Sequence, residues 1–431
     1  MNDFEDYRIF LNDLPAQWKH CRFKDIFQSK KEIIGKDAAK YERLALTLNG
    51  VVKRSKEDDK GLQPTNFESY QLLKANDMVF KMIDLQNVST SRVGQTPWDG
   101  LVSPAYLRFS PKSDDTGFIY YYFMNLYYQN VFNNIAGDGV RSALTATDIG
   151  NIECPFPKKE EQKVIVNVLN QKVYYIDQLI SNQEKQIEKL KEYRQAIITK
   201  AVTKGLNPNT PMKDSGVEWI GEIPQKWPTI RIKNTSWLKG RIGWDGLKSS
   251  EFIESGPYLI TGTDFANGSI NWKTCAHISE ERYQQDELLH IKENDLLITK
   301  DGTIGKLAIV KNCPEKVSLN SGVMIIRNDT IFKYSNRYLY YILQSNQFFL
   351  WYELSQSGNS TIKHLYQAQF YNFEFTYPSL EEQISIASYL ETKCSKISHL
   401  IDLLEQNIAM LKSFKQSIIY EYVTGKRRVN L

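Results

Sequence analysis

Residues 157–203 read PKKEEQKVIVNVLNQKVYYIDQLISNQEKQIEKLKEYRQAIITKAVT, and residues 378–424 read PSLEEQISIASYLETKCSKISHLIDLLEQNIAMLKSFKQSIIYEYVT. Aligned without a gap, at an offset of 221 residues, the two segments are identical at 19 of 47 positions. Chance does not produce such ungapped similarity, so the chain contains an internal repeat that organises everything around it.

Each copy of the repeat predicts one long helix. After its opening proline, each copy contains no proline or glycine that would interrupt a helix. Ser379 and Glu382 predict a capping box at the start of the second helix. Gly205 and Gly425 predict where the two helices end. Apolar residues also recur with a heptad period. Positions a and d of the first copy hold Val166, Val173, Ile180, Ile187 and Leu169, Ile176, Leu190, Ile197; those of the second hold Ala387, Cys394, Ile401, Ile408 and Leu390, Ile397, Leu404, Leu411, Ile418.

Heptad stripes of this kind bury against a partner helix, and the nearest available partner is the other copy. We therefore expect an antiparallel pair of helices, each about 65 Å long at about 1.5 Å per residue. The alternative is two unrelated amphipathic helices inside a globular core.

The rest of the chain forms two blocks, residues 1–156 and 209–377, that predict mixed α/β domains. The predicted strands are Met78–Ile83, Tyr258–Thr261, Asp295–Thr299 and Val323–Ile326, and the predicted helices are Gly117–Asn133 and Tyr334–Leu354. The domain order is globular 1–156, helix 157–208, globular 209–377 and helix 378–431. The predicted fold class is thus α/β (α+β), with two globular domains separated by two long antiparallel coiled-coil spacer helices.

Antiparallel pairing would place one globular domain at each end of the helices and give the molecule a pseudo-two-fold axis. Duplex DNA also has two-fold axes, which is why paired DNA-binding domains are often related in this way. Because the two blocks differ at most positions, each would read a different half-site, and the helices would set the gap between them.

Three motifs resemble those of the specificity subunits of type I restriction–modification systems. Residues 212–224 read MKDSGVEWIGEIP and are followed by Trp227, as at the start of a target-recognition domain in that family. Pro-x-x-Glu-Glu-Gln opens both helices at Pro157 and Pro378, and the tail Tyr422-Val-Thr-Gly-Lys426 is similar to the family's C-terminus. The first block departs from the pattern, since it keeps only Leu14-Pro15 and Trp18.

The resemblance implies a non-catalytic subunit that binds double-stranded DNA at a bipartite, asymmetric site. It implies two methyltransferase (modification) subunits and restriction/translocase subunits as partners, with S-adenosylmethionine, ATP and magnesium on those partners and no cofactor in this chain. It also implies a cytoplasmic location without membrane contact. Two other hypotheses stay open: a coiled-coil scaffold that binds proteins instead of DNA, and an enzyme.

Composition excludes several classes of protein. The net charge of +4 does not itself indicate nucleic-acid binding, and the opening MNDFEDYRIF is not a signal peptide. No run of 18 apolar residues predicts a membrane span. The five cysteines contain no CxxC pair and are expected to be free thiols, and the five histidines show no metal-ligand spacing.

Three segments superficially suggest other chemistry. Gly302-Thr-Ile-Gly-Lys306 is too short for a phosphate-binding loop and is interpreted as a turn. Glu57-Asp-Asp-Lys60 is interpreted as a solvated acidic loop instead of a magnesium site. The aromatic run Tyr120–Tyr128 is interpreted as helix core instead of a base-stacking platform. An Asn/Asp-Pro-Pro-aromatic methyltransferase motif is absent from the sequence.

Base edges are read by Arg, Lys, Asn and Gln, assisted by Ser and Thr, usually from loops or helix ends. These residue types cluster in several predicted loops of both blocks. The candidate DNA-binding residues are Gln86, Asn87, Ser91, Arg92, Arg141 and Ser142 in the first block, and Lys239, Arg241, Trp244, Thr263, Asn267, Lys300, Thr303, Lys306, Lys363 and His364 in the second.

Overall fold

A computed structural model describes residues 11, 14–48, 50–58, 66–83, 85, 92–113, 116–136, 143–242, 246–328, 333–355 and 364–430. The chain divides into two compact units. Unit 1 comprises Met1–Glu184 and Glu405–Leu431, and unit 2 comprises Lys185–Leu404. Each unit therefore contains one of the two blocks together with half of each long helix.

Unit 1 is a mixed α/β body. Its strands are β1 (Lys19–Arg22), β2 (Phe27–Ser29), β3 (Arg43–Thr47), β4 (Gly50–Arg54), β5 (Gln71–Leu73), β6 (Met78–Phe80), β7 (Val93–Gln95), β8 (Gly100–Val102), β9 (Leu107–Pro111) and β10 (Glu153–Phe156). Its short helices are α1 (Phe23–Ile26), α2 (Gly117–Tyr128), α3 (Val131–Ala136) and α4 (Ala146–Asn151), with a 3-10 turn at Gly35–Lys40. The long helix α5 (Lys159–Lys204) begins here and continues into unit 2.

Unit 2 repeats this composition. Its strands are β11 (Met212–Asp214), β12 (Glu222–Pro224), β13 (Thr229–Arg231), β14 (Ser236–Gly240), β15 (Ile253–Ile260), β16 (Phe265–Ala266), β17 (Ser269–Ile270), β18 (Ala276–His277), β19 (Leu296–Thr299), β20 (Leu307–Ile309), β21 (Val317–Leu319), β22 (Val323–Asn328) and β23 (Glu374–Thr376). Its helices are α6 (Glu280–Gln284), α7 (Asn336–Ile342), α8 (Asn346–Ser355), α9 (Gln367–Phe370) and α10 (Leu380–Val423), the last of which ends in unit 1; 3-10 turns lie at Ile232–Asn234, Ser249–Glu251 and Glu287–Leu289.

The same sheet topology occurs in both units. Unit 1 has an antiparallel sheet in the order β2-β9-β6-β7, and unit 2 has one in the order β14-β22-β19-β20. Each unit also has a second sheet with one parallel pair, β3 with β8 in unit 1 and β15 with β21 in unit 2. The faint sequence similarity between the blocks therefore reflects a duplicated fold.

The two long helices pack on each other in both units, as the heptads predict. All of the seam residues named above are buried or half-buried, including Ile180 and Ile401 at 8% exposure each. In unit 1, the Lys415 ammonium of α10 lies 2.7 Å from the Asp177 carboxylate of α5. Gly425, just after the end of α10, lines the same cavity as Lys158, just before the start of α5. Residue numbers that rise along one helix fall along the other, so the pair is antiparallel.

The ends of the helices explain the motifs that the two copies share. Gln162 and Gln383 are buried and donate from Nε2 to the carbonyls of Pro157 and Pro378, at 2.8 and 2.9 Å. Each glutamine side chain thus satisfies the backbone carbonyl of the proline that precedes its helix. Ser379 Oγ accepts from the Glu382 N–H at 3.3 Å, which is one half of the predicted capping box, whereas the Glu382 carboxylate accepts from Trp227 Nε1 at 2.9 Å.

At the far ends, Gly205 (φ +73°) and Gly425 (φ +70°) adopt the left-handed conformation that ends a helix. A Cβ at Gly205 would lie 3.2 Å from the Trp227 ring, and one at Gly425 would lie 3.3 Å from the Trp18 ring. The two tryptophans therefore occupy equivalent places, which accounts for the recurrence of a Pro-x-x-Trp phrase in both blocks.

Two predicted helices and several strand bounds differ from the structure: the strand predicted at Tyr258–Thr261 is Ile253–Ile260, and the one predicted at Val323–Ile326 extends to Asn328. Gly117–Asn133 is two helices, because Asn130 (φ +60°) interrupts it. Tyr334–Leu354 is also two helices, because Ser345 Oγ donates to the Ile342 carbonyl and accepts from the Gln347 N–H. The strand from Met78 ends at Phe80 instead of Ile83.

Candidate nucleic-acid interface

The turn between β19 and β20 forms a compact loop on the surface of unit 2. Thr299 Oγ1 donates to the Thr303 carbonyl at 2.6 Å and accepts from the Lys306 N–H at 2.9 Å. Gly302 (φ +66°) and Gly305 (φ +83°) take the left-handed conformations that close it. Thr303 and Lys306 are exposed at its tip. Because a strand follows the turn, Gly302–Lys306 is not a phosphate-binding loop, which requires a helix.

The chain returns to this turn near residue 364. The Leu365 N–H donates to the Lys300 carbonyl at 2.9 Å, and His364 Nδ1 contacts the Asp301 carboxylate. Lys300 is half-buried and donates from Nζ to the Arg241 carbonyl at 3.2 Å. Partial burial lowers the pKa of the Lys300 ammonium, which the neighbouring Asp301 carboxylate partly counteracts. Lys300, Thr303, Lys306 and His364 therefore belong to one surface.

A second hairpin brings Asn267 to the same surface. The two residues between β16 and β17 are Asn267 (φ +50°) and Gly268 (φ +76°), as in a type I′ turn. Asn267 and Lys306 line one cavity. Thr263 is exposed nearby in the chain, in a turn that Asp264 holds by accepting from the Thr261 N–H at 2.7 Å.

Arg241 was predicted to contact DNA, and the structure corrects this. Its side chain is 1% exposed, and the guanidinium donates to the Leu319 carbonyl at 3.1 Å and to Ser318 Oγ at 3.4 Å. It braces the sheet instead of facing solvent. Lys239 is only partly exposed and pairs with the Asp286 carboxylate at 2.9 Å, so its charge is largely neutralised.

Unit 1 contains the counterpart of the unit 2 turn. The Lys81 N–H donates to the Arg92 carbonyl at 2.9 Å, and the Thr299 N–H donates to the Lys306 carbonyl at the same distance. The Leu144 N–H donates to the Met82 carbonyl, as Leu365 does to Lys300. The two hairpin connections, β6–β7 in unit 1 and β19–β20 in unit 2, are thus equivalent parts of the duplicated fold.

Arg92 is the second correction. Its side chain is 2% exposed, and its guanidinium donates to the carbonyl of Leu85 within the same connection. Burial therefore excludes direct contact between this side chain and DNA in this conformation. Seven candidates lie outside the described residues: Gln86, Asn87, Ser91, Arg141, Ser142, Trp244 and Lys363.

Asp77, just before β6, and Asp295, just before β19, each form an ion pair with an arginine of the neighbouring strand, at the end of the hairpin opposite to the connection. Arg108 Nε lies 2.6 Å from the Asp77 carboxylate, with both side chains at most 2% exposed, and Arg327 lies 2.7 Å from the Asp295 carboxylate. Each aspartate also accepts from a backbone N–H three residues earlier, at 2.7 Å. Both aspartates follow an asparagine with positive φ, Asn76 (+70°) and Asn294 (+67°), so the turns that precede β6 and β19 are equivalent.

Sequence reasoning missed a contribution from the spacer helix. Arg194 and Gln195 of α5 line the same cavity as Asn267 and Lys306. The heptad register places Arg194 at position a, but the sequence analysis named only the apolar seam residues and gave neither Arg194 nor Gln195 a function. A comparison of charges between the two repeat copies would have drawn attention to Arg194.

The remaining chemical signals have structural explanations. The aromatic run is helix core as predicted, since Tyr121–Leu126 are all buried. Asp58 pairs with Arg54 at 2.7 Å, while Asp59 and Lys60 lie outside the described residues. All five cysteines are free. Within the described ranges, no three His, Cys, Asp or Glu side chains cluster as metal ligands, and no helix has the length and apolar character needed to cross a membrane.

The sequence profile of the type I restriction modification DNA specificity domain matches residues 15–189 and 241–412, well over half of the chain. This chain belongs to the family of type I restriction–modification specificity subunits. The two matched regions each contain one of the duplicated sheets and part of a long helix.

Relatives agree with this assignment. The type I restriction enzyme MjaVIII specificity subunit of Methanocaldococcus jannaschii is 29% identical over 287 residues, 65% of this chain and 63% of that protein. The putative MjaX specificity subunit of the same organism is 23% identical over 97% of this chain and 96% of its own length. A chain from a structure describing complex assembly of the type I R-M system superposes with a TM-score of 0.66, 15% identity, and coverage of 96% and 99%, which shows a shared fold.

Proposed function

We propose that this subunit reads DNA sequence for a type I restriction–modification complex. Its two target-recognition domains, residues 1–156 and 209–377, each read one half of a bipartite, asymmetric site. The helical segments 157–208 and 378–431 set the gap and position two methyltransferase subunits and the restriction/translocase subunits. The chain acts in the cytoplasm and is itself non-catalytic, while S-adenosylmethionine, ATP and magnesium are bound by its partners.

One observation carries this proposal. The hairpin connections β6–β7 and β19–β20 are topologically equivalent, and a second segment bonds to each of them, through the Leu144 N–H in unit 1 and the Leu365 N–H in unit 2. The scaffold is duplicated, yet the connections differ in length and residues: residues 81–92 in one unit and 299–306 in the other. Two similar frames with different loops suit a protein that reads two different sequences.

The exposed or half-buried side chains on the unit 2 connections remain our proposed contacts with DNA. They are Thr263, Asn267, Lys300, Thr303, Lys306 and His364. Lys239, which is half-buried and paired with Asp286, and the seven candidates outside the described residues stay proposed as well, whereas Arg92 and Arg241 do not.

Methylation-site mapping tests the proposal. The chain is expressed with its methyltransferase partner, and modified adenines are mapped by sequencing. Replacing residues 209–377 by the equivalent domain of another family member should change one half-site and leave the other half-site and the gap unchanged. A swap that alters both halves, or neither, contradicts independent reading.

The same complex also separates DNA recognition from a protein scaffold. In a mobility-shift assay, the complex should prefer a duplex carrying the mapped site over one with either half-site scrambled. A scaffold predicts equal binding to both duplexes. The family assignment does not favour the scaffold hypothesis.

A further inference from the structure

A cavity of about 320 Å³ in unit 2 joins the spacer helix to the recognition domain. Arg194 and Gln195 of α5 form one wall, and Asn267 and Lys306 from the two hairpin turns lie across from them. Tyr340 and the half-exposed Phe349 complete the lining. The cavity is therefore lined by two cations, several amides and an aromatic rim.

Neither cation has an acidic partner within the described residues. The neighbours on which the Arg194 charge acts are neutral: burial raises the pKa values of the Tyr340 hydroxyl and the Cys394 thiol, and Arg194 partly counteracts this rise. Lys306 is exposed, and its hydrogen bonds within the described residues are made by its backbone, whose N–H donates to Thr299 Oγ1 and whose carbonyl accepts from the Thr299 N–H. Two like charges facing one cavity favour an anion between them.

The internal repeat makes the lack of a partner for Arg194 informative. The repeat equivalent of Arg194 is Lys415, whose ammonium contacts both carboxylate oxygens of Asp177, at 2.7 and 2.9 Å. The repeat equivalent of Asp177 is Ser398, which cannot neutralise Arg194. One copy of the duplicated fold has thus retained an internal counter-ion, and the other presents the cation to the cavity.

The backbone around the cavity is also arranged for close approach. A Cβ at Gly268 would overlap the Tyr340 hydroxyl, and one at Gly305 would lie 3.4 Å from the Phe348 ring. Glycines at both turns therefore bring the main chain against the aromatic wall. Asn267 and Lys306, each next to one of these glycines, line the same cavity as Arg194.

We propose that this cavity binds a phosphodiester group of the DNA backbone, held between Arg194 of the spacer helix and Lys306 of the recognition turn. The proposal rests on the DNA-reading function above and adds a positioning residue to it. The helix that sets the gap would then be fixed to the DNA directly, instead of only through the recognition domain.

The test measures how salt affects DNA affinity for the complex with its methyltransferase subunits. Each phosphate neutralised by the protein adds about 0.9 to the slope of log affinity against log salt. Arg194→Gln should make that slope less negative by about one such unit. It should weaken binding to the mapped site and to a scrambled duplex by the same factor, because phosphates carry no sequence information.

Lys415→Gln is the matched control, since it removes the equivalent charge from the other repeat copy and should leave the slope unchanged. Lys306→Gln is the second variant and should reproduce the Arg194→Gln slope. Thermal melting checks that all three fold. An unchanged slope for folded Arg194→Gln and Lys306→Gln overturns the proposal, while wild-type preference for the mapped site would still support the DNA-reading function.

The phosphate could also come from a free nucleotide, so each variant is titrated with AMP and ATP by calorimetry. Nucleotide binding that Arg194→Gln abolishes, together with an unchanged DNA slope, overturns the assignment to the DNA backbone. If the wild-type protein does not prefer the mapped site over the scrambled one, the proposed DNA-reading function is wrong. That result is distinct from a failure of the phosphate-binding proposal.

Discussion

The seam between the long helices allows a matched test of how the subunit is held together. Ile180 and Ile401 occupy equivalent positions in the two repeat copies, and each is 8% exposed. Their immediate neighbours Leu179 and Leu400 are also equivalent to each other, yet they are 51% and 48% exposed. The same substitution can therefore be placed one residue away, on the same helices, at the surface.

Aspartate at Ile180 and Ile401 should destabilise the fold severely. Loss of each buried isoleucine side chain removes about 2 kcal/mol of burial free energy. Desolvation of an unpaired carboxylate adds at least about 1 kcal/mol at each site. The double variant should therefore lose on the order of 3 to 6 kcal/mol of unfolding free energy, depending on how far the carboxylates reach solvent. The double variant of Leu179 and Leu400 should lose roughly 1 kcal/mol or less.

Urea unfolding followed by circular dichroism at 222 nm measures the difference, and gel filtration with the methyltransferase subunits measures assembly. Ile180→Asp with Ile401→Asp should shift the urea midpoint strongly and prevent assembly. If Leu179→Asp with Leu400→Asp keeps the midpoint but loses assembly, the exposed face of the helices is the docking surface. Equal midpoints for the two double variants would refute the heptad seam.

Three further predictions concern reading, spacing and chemistry. One heptad is inserted after Gln183 and another after Leu404, at the boundary of the compact units. These insertions should keep the seam in phase and lengthen both helices by about 10 Å. Methylation mapping should then show unchanged half-sites and a gap between them that is longer by roughly three base pairs. Arg241→Gln should lower stability by about 1–3 kcal/mol in thermal melting without altering the mapped site, because it leaves buried acceptors unpaired; a changed half-site at unchanged stability would contradict its burial. The purified chain alone should transfer no label from S-adenosylmethionine to DNA and cleave none, and turnover without partners would contradict a non-catalytic subunit.

Much of the architecture could be predicted from the sequence, because the repeat and the heptads act through one physical rule. Apolar residues spaced three and four apart must be buried together, and every predicted seam position from Val166 to Ile418 is buried or half-buried. The glycine ends were equally predictable, since Gly205 and Gly425 adopt the left-handed conformation that few other residues tolerate. Helix interruptions at Asn130 and Ser345 were missed, because both arise from local backbone conformation and side-chain capping within continuous apolar patterns.

The candidate site was less predictable, since charge and residue type do not reveal which way a side chain points. Arg92 and Arg241 have the residue type that reads guanine, yet both guanidinium groups are buried and bonded to backbone carbonyls. Arg194 lay in a helix assigned to spacing and was overlooked. Orientation depends on contacts between segments far apart in sequence, such as Leu319 with Arg241, and periodicity contains no information about these.

The duplicated frame also explains how such a subunit can acquire a new target without losing its fold. The connections that hold the candidate readers begin and end at paired strand residues, Phe80 with Val93 in unit 1 and Ile298 with Leu307 in unit 2. Strand pairing, the buried Arg108–Asp77 and Arg327–Asp295 pairs and the helix seam all lie outside the exposed tips of these connections. Substitution at an exposed tip residue such as Thr303 therefore disturbs little of the stabilising structure, and surface changes of this kind usually stay within about 0.5 kcal/mol. If the exposed tips read DNA as we propose, specificity and stability depend on different residues of the same hairpin, so loops can diverge while both frames persist.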